Sequence, residues 1–292
     1  MFPDGFTYER AGTVDEALDL LAEHADAETE LLAGGHSLLP TLKNRLASPD
    51  VVVDIGRIDA LRGIETDGDG ETATIGALTP YATLEADDAL LADCPVVPEA
   101  AGEVGDVQVR NAGTLGGNLA HADPAADMPA SVLAADATIH VRGQDGSRTI
   151  GIDDFFEGIF TTALDEGELL TGIEVPLGDG NATSAYVKKR SPSSGYAVVG
   201  VAAAVETADG TVESARVATT GATDHAVRLR AVEDGLAGET LSQEAIAAAA
   251  SRATDDLDGA TLMDDDRASA EFRAQLLEQY TERALGRIAD RR

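Results

Sequence analysis

One segment, Pro176-Leu177-Gly178-Asp179-Gly180-Asn181, separates two differently patterned stretches of chain and so limits the folds open to it. Turn-forming residues at this density continue neither helix nor strand, and the segment reads as a linker. Before it, Thr13-Val14-Asp15-Glu16 is a capping box, and Ala17, Leu18, Leu20 and Leu21 share one face of a helix expected over residues 14–24. Glu30-Leu31-Leu32-Ala33 reads as a short buried strand ending in Gly34-Gly35. Helical spacing resumes over residues 38–46, and Val51-Val52-Val53-Asp54-Ile55 is a second strand, which completes a β-turn-α-β unit. Farther on, Asp67-Gly68-Asp69-Gly70 joins two hairpin strands and Thr79-Pro80 caps a helix expected to run to about Leu91. Residues 130–135 read as helix, and residues 137–141 and 169–175 as strands. After the linker, strands at 185–189, 197–206 and 212–219 precede helices at 227–236, 242–254 and 269–288. Strands grouped ahead of helices define a separate α+β unit. The expected division is residues 1–176, a linker at 177–183, and a smaller α+β unit at 184–292.

The 292-residue length agrees with more than one core, since single cores usually span about 100–200 residues. Charge narrows the partners. With 21 basic and 53 acidic side chains the net charge is −32, so the basic footprint that nucleic-acid binding needs is missing. Lysine occurs only at 43, 188 and 189, and the rest of the surface is acidic, as on proteins adapted to high salt. At about 1 M salt the Debye length falls to about 3 Å and screens this self-repulsion. The unfolding midpoint is therefore expected to fall as salt is removed; a midpoint that ignores salt would contradict a halophilic surface.

Cys94 is the sole cysteine, which excludes an internal disulfide, a four-cysteine zinc site and an iron–sulfur cluster held by this chain alone. The first residues lack the basic and apolar regions of a secretion signal. The longest uncharged stretch, residues 191–205, contains Pro192, Gly195 and Gly200 and is shorter than the roughly 20 apolar residues of a membrane span. A cytoplasmic location is expected.

Two glycine turns offer chemistry: Ala33-Gly34-Gly35-His36-Ser37 and Thr114-Leu115-Gly116-Gly117-Asn118. Glycine admits positive φ and lets backbone N–H groups approach an anion, so a pyrophosphate held between the turns is one reading. Two ordinary tight turns is the other. Neither segment fits the P-loop or the Rossmann fingerprint, and Gly35-His36-Ser37-Leu38-Leu39 lacks the last glycine of a nucleophile elbow. His121-Ala122-Asp123-Pro124-Ala125-Ala126-Asp127 holds potential metal ligands, although Pro124 breaks helical spacing; it reads as polar lining beside a ligand, with a metal site as the alternative. Lys188-Lys189-Arg190 faces an anionic cofactor or partner, or is a solvated strand end.

Taken in order, these motifs resemble the FAD-binding medium subunit of the molybdenum hydroxylases, the family of xanthine dehydrogenase and aerobic carbon monoxide dehydrogenase. The resemblance runs from Phe6-Thr7-Tyr8 through Leu32-Ala33-Gly34-Gly35-His36-Ser37-Leu38-Leu39-Pro40, Val53-Asp54-Ile55 and Val109-Arg110-Asn111. It continues through Thr114 to Asn118 and His121 to Asp127, and ends with Ser269, Phe272, Arg273 and Arg283-Ala284-Leu285. It implies an FAD-binding domain of two subdomains, of the PCMH (vanillyl-alcohol oxidase-like) type, followed by a smaller α+β domain. Ala33, Gly34, Gly35, His36 and Ser37, with Thr114, Leu115, Gly116, Gly117 and Asn118, would wrap the FAD pyrophosphate. Asp127 matches an aspartate near the flavin, Leu170 a backbone contact, Lys188 a lysine reaching from the second domain, and Tyr196 an aromatic residue near the isoalloxazine. The implied partners are a large molybdenum-cofactor subunit, a small [2Fe-2S] subunit and a terminal acceptor: quinone, NAD or oxygen. No side chain need be a catalytic nucleophile. A self-contained flavin oxidoreductase of the same fold, and an assembly module that has lost FAD, are the alternatives.

Overall fold

The structure is a computed structural model that describes residues 2–178, 182–257 and 259–292. Of the expected linker, residues 179–181 lie outside the described residues. The chain opens with β1 (Thr7–Arg10), α1 (Val14–Glu23), β2 (Thr29–Leu32), α2 (Leu38–Lys43) and β3 (Val51–Asp54). The strands form a parallel sheet in the order β1-β3-β2. Central β3 is the fully apolar run Val51-Val52-Val53, all buried, as a strand covered on both faces requires. Thr13 caps α1 by accepting from Glu16 N at 3.1 Å, and Glu16 reaches back to the N–H of Gly12 at 2.7 Å. The expected buried strand β2 is only half-buried along its length, because it is an edge strand whose open side walls a cleft.

The next stretch comprises β4 (Ile64–Thr66), β5 (Thr72–Gly76), α3 (Tyr81–Glu85), α4 (Asp88–Asp93), α5 (Val96–Glu103), α6 (Val107–Ala112), α7 (Leu115–His121) and α8 (Met128–Ala134). Strands β6 (Thr138–Gly143), β7 (Gly146–Gly151), β8 (Phe156–Gly158), β9 (Thr161–Thr162) and β10 (Leu169–Pro176) follow. Five of them build an antiparallel sheet, β4-β5-β10-β6-β7. The single helix expected after Thr79-Pro80 is two helices. Asp87 caps the second by accepting from Leu90 N at 3.0 Å, which outcompetes continuation of the first. Thr79 caps nothing: its hydroxyl bonds both the N–H and the carbonyl of Gly63, at 3.0 and 2.9 Å.

The last part holds β11 (Ala182–Arg190), β12 (Ala197–Ala208), β13 (Thr211–Thr220), β14 (Val227–Arg228), α9 (Arg230–Leu236), α10 (Gln243–Ala250) and α11 (Ala270–Ala289), with the strands antiparallel in sequence order. Residues 227 and 228, expected to open a helix, instead pair with β13, and the helix starts at Arg230. One face of this sheet, with Val199, Val201 and Val217, packs on Leu277, Ala284, Leu285 and Ile288 of α11. Tyr186, Ala202 and Ala218 join the core that includes Met128 and Val132 of α8, so the two units share apolar surface. Arg273 is buried within the last unit and donates to the carbonyls of Val198 and Gly221 at 2.7 and 2.5 Å and to Asp265 at 2.7 Å. Arg273→Met leaves those carbonyls buried and unpaired, at about 1–3 kcal/mol each. Denaturant unfolding at high salt is expected to show a loss of about 2–4 kcal/mol, and an unchanged midpoint would contradict this role.

Candidate functional site

A cleft of about 540 Å³ lies between the parallel sheet and the antiparallel sheet with its helices. One wall is β2 and the turn Ala33-Gly34-Gly35-His36-Ser37; the facing wall is Gly113, Thr114 and the first turn of α7, with Leu169 and Leu170 alongside. The glycines bring the walls together. A Cβ on Gly34 would stand 2.2 Å from the carbonyl oxygen of Ala112 and 2.8 Å from Cα of Gly113. One on Gly116 would lie 2.6 Å from Cβ of Ala77. Gly35 has φ +73°, which glycine adopts without strain.

The two turns dispose their donors differently. Leu115, Gly116, Gly117 and Asn118 all donate within the chain, to Thr79 O, Ala77 O, Thr114 Oγ1 and Thr114 O. Among the described residues, the N–H groups of Gly34, Gly35, His36 and Ser37 find no acceptor in the chain. Successive N–H groups of this kind form an anion-binding concavity, and the pyrophosphate of a dinucleotide has the matching charge. Helix α2 adds little, being six residues long with no side-chain cap from Ser37. Across the cleft, Oδ1 of Asn118 is buried without a partner. These groups fit a ligand that has both an anionic centre and a polar ring system with donors.

The remaining expected residues divide. Leu170 lines the cleft at the point where the pairing of β10 with β6 shifts register, a break that leaves backbone there outside regular pairing. Leu115 is fully buried on the far side of α7, away from the cleft. Asp127 and Lys188 meet in a buried ion pair outside the lining. Lys188 Nζ sits 2.8 Å from Asp127 Oδ2, 2.8 Å from Glu103 O and 3.0 Å from Gly195 O, and Tyr186 donates to Asp127 Oδ1 at 2.5 Å. Burial raises the Asp127 carboxyl from its ordinary range, opposed by Lys188 and Tyr186. Burial, reinforced by Asp127, holds the Tyr186 hydroxyl far up. Tyr196 is 38% exposed and also outside the lining. The basic cluster is thus split, with Lys188 buried and Arg190 at the surface bonding Glu103 O. His121 lines the cleft, but Pro124 and Ala126 turn their carbonyls to Thr220 Oγ1 at 2.7 and 2.6 Å and join the two units. No group of three or more potential metal ligands is found among the described residues.

Three contributors carried no signal in the sequence. Tyr81 lines the cleft next to Asn118, its hydroxyl raised by burial. Phe160, at the tip of the β8–β9 hairpin, is 55% exposed at φ +53° and stands 5.0 Å from the His121 ring. Burial lowers the His121 pKa, partly countered by Asp123. Glu30 lines the cleft from β2. Cys94 is buried outside it, and its thiol is pushed up to about 12 by desolvation.

The fold and cleft define a two-domain flavoprotein of mixed α and β content. Residues 4–178 match the FAD binding domain in molybdopterin dehydrogenase, and residues 184–288 the CO dehydrogenase flavoprotein C-terminal domain. The chain is 37% identical to the glyceraldehyde dehydrogenase medium chain of Sulfolobus acidocaldarius, over 99% of this chain and 100% of that one. It is 36% identical to the carbon monoxide dehydrogenase medium chain of Hydrogenophaga pseudoflava, over 98% and 97% of the two chains. A solved carbon monoxide dehydrogenase from Hydrogenophaga pseudoflava, in a form lacking the Mo-pyranopterin moiety, superposes with a TM-score of 0.94 at 37% identity, covering 100% of this chain and 99% of that one. This chain belongs to the FAD-binding medium subunits of the molybdenum hydroxylases. It is an oxidoreductase subunit and its cofactor is FAD.

Proposed function

We propose that this chain is the electron-transfer subunit of a molybdenum hydroxylase complex, standing between [2Fe-2S] clusters on a small subunit and a terminal acceptor: quinone, NAD or oxygen. The large subunit would carry the molybdenum cofactor and choose the substrate. The observation that carries this reading is the row of N–H groups from Gly34 to Ser37, without acceptors among the described residues, facing the buried Oδ1 of Asn118 across one cleft. FAD, when bound, supplies a centre that takes up electrons singly and releases them in pairs. The residues of this chain hold and orient it: Gly34, Gly35, His36 and Ser37 at the pyrophosphate, Gly117 and Asn118 opposite, and Tyr81, His121, Phe160 and Leu170 as the ring-side walls that exclude water. The Asp127–Lys188 pair, 5% and 1% exposed at its side chains, sets a fixed polar support beside Tyr81. We assign the N-terminal unit to the PCMH type. The single cysteine supports clusters carried on partners, and the relatives named as medium chains support a multi-subunit enzyme. The described residues include no helix long and apolar enough to cross a membrane, and we infer a cytoplasmic location.

The test is affinity purification of the tagged chain from its own cells at high salt. Co-purification of molybdenum-bearing and cluster-bearing chains, with flavin absorbance that bleaches when the clusters are reduced, is expected. Substrate turnover by the isolated chain would establish the self-contained flavin oxidoreductase instead.

A further inference from the structure

We propose that Glu30 recognises the adenosine half of FAD, accepting hydrogen bonds from its ribose hydroxyls or adenine amine, and so makes the cleft selective for FAD over FMN. The inference rests on FAD as the cofactor and adds a residue outside both glycine turns. Strand β2 runs straight into the anion-binding turn, and Glu30 precedes Ala33 by three residues, about 10 Å of strand. That distance is the reach of one nucleoside from a pyrophosphate seated on Gly34 to Ser37. Of the ring-bearing side chains of the cleft, Tyr81, His121 and Phe160 come from the other wall, where a flavin ring system finds its surroundings, and His36 stands in the anion-binding turn itself. The β2 side, with Leu21, Thr29, Glu30 and Thr41, is left for the adenosine.

Two carboxylates line this cleft, and they differ in one respect. Glu168 is held by Arg148 through bonds of 2.7 and 2.6 Å, which cancel its charge. Among the described residues, Glu30 has no cation and no hydrogen-bond donor; only burial and the neighbouring charge of Glu28 act on it, and both raise its pKa. A half-buried carboxylate without donors is costly, and the cost is removed when a ligand brings donors to it. Adenosine brings hydroxyl and amine donors. The flavin ring and ribityl phosphate of FMN, lying on the other side of the turn, do not reach β2.

The test uses the full-length chain, stripped of flavin and kept at high salt, with FAD, FMN and ADP as probes in titration calorimetry. In Glu30→Gln the FAD and ADP dissociation constants are expected to rise about tenfold, and further in Glu30→Val, because charge-assisted hydrogen bonds are lost. The FMN constant is expected to stay within about twofold, which also shows that the variants remain folded. Unchanged FAD and ADP binding, or FAD and FMN tightening together as they would if Glu30 were only a repulsive charge, overturns the proposal. A wild-type chain that binds neither FAD nor ADP overturns the cofactor assignment itself, a result separable from any change in the variants.

Discussion

Gly34→Ala loses FAD affinity by more than about a hundredfold, while Gly68→Ala, the same substitution in a hairpin loop, does not. At position 34 the new Cβ lies 2.2 Å from the Ala112 carbonyl oxygen and 2.8 Å from Gly113 Cα. Both are backbone atoms, and neither can rotate away. Ordinary contact needs roughly 3.5 Å, so the turn moves by about 1 Å or more from its partner. The N–H groups of Gly34 to Ser37 move with it, and two or more charge-assisted bonds to the pyrophosphate are weakened. Each is worth about 1.5–3 kcal/mol, which gives the hundredfold figure. A Cβ on Gly68 meets nothing within 4 Å. Flavin content and calorimetric affinity, measured at high salt, check the pair. Near-normal affinity in Gly34→Ala would show that the locked turns do not form the pyrophosphate seat.

Lys188→Met costs about 3–5 kcal/mol of stability at neutral pH, or about 10 °C in the unfolding midpoint. The Lys188 side chain is 1% exposed and its ammonium meets three oxygens, one of them from Asp127, itself 5% exposed. Removal leaves a buried carboxylate supported by Tyr186 alone. The loss depends on pH with a definite sign. Burial already raises the folded-state Asp127 pKa, and without Lys188 it rises further above the unfolded value near about 4. Below the unfolded value the carboxyl is neutral in both states and the charge penalty vanishes. As pH climbs toward the raised folded value, the unfolded chain gives up its proton first and the variant loses stability. The deficit against the parent is therefore smaller in acid, where only the bonds to the Glu103 and Gly195 carbonyls are lost, and full at neutral pH. Denaturant unfolding from acid to neutral pH measures it, with Asp127→Asn/Lys188→Met expected to flatten the dependence; a deficit constant across that range would show that Asp127 is not the stranded group.

What the sequence conveyed depended on whether the signal was local. Thr13 and Glu16 announce α1, the apolar run of β3 announces a covered strand, and the glycines at 34, 35, 116 and 117 mark two segments whose close approach the structure shows, although the second is the start of helix α7 and not a separate turn. Thr79 misled because its partner, Gly63, is sixteen residues away in sequence and nothing near Thr79 reveals it. Residues 227–228 carried helical spacing, but an available sheet edge at β13 outweighed it. Leu115 belongs to a glycine turn by position, yet it is one of the buried residues of α7 and lies outside the cleft lining. Phe160 takes a left-handed conformation that bulky side chains seldom adopt, so no residue-type rule pointed to it. Glu30 read as one polar residue in a short strand; only the edge position of β2 shows that it faces the cleft. The unequal donors of the two glycine segments could not be read from composition, because both are equally glycine-rich: Thr114 caps α7 and takes the N–H groups of Gly117 and Asn118 locally, while tertiary packing brings Thr79 O and Ala77 O to Leu115 and Gly116.

The most direct measurement of the central claim is an absorption spectrum of the chain expressed alone and purified at about 2 M salt, where the acidic surface is screened, followed by acid release of the cofactor. Flavin bands near about 450 nm, and release of one FAD per chain, are the predicted result. A folded, colourless chain that also refuses added FAD would contradict the account and leave this architecture without its cofactor.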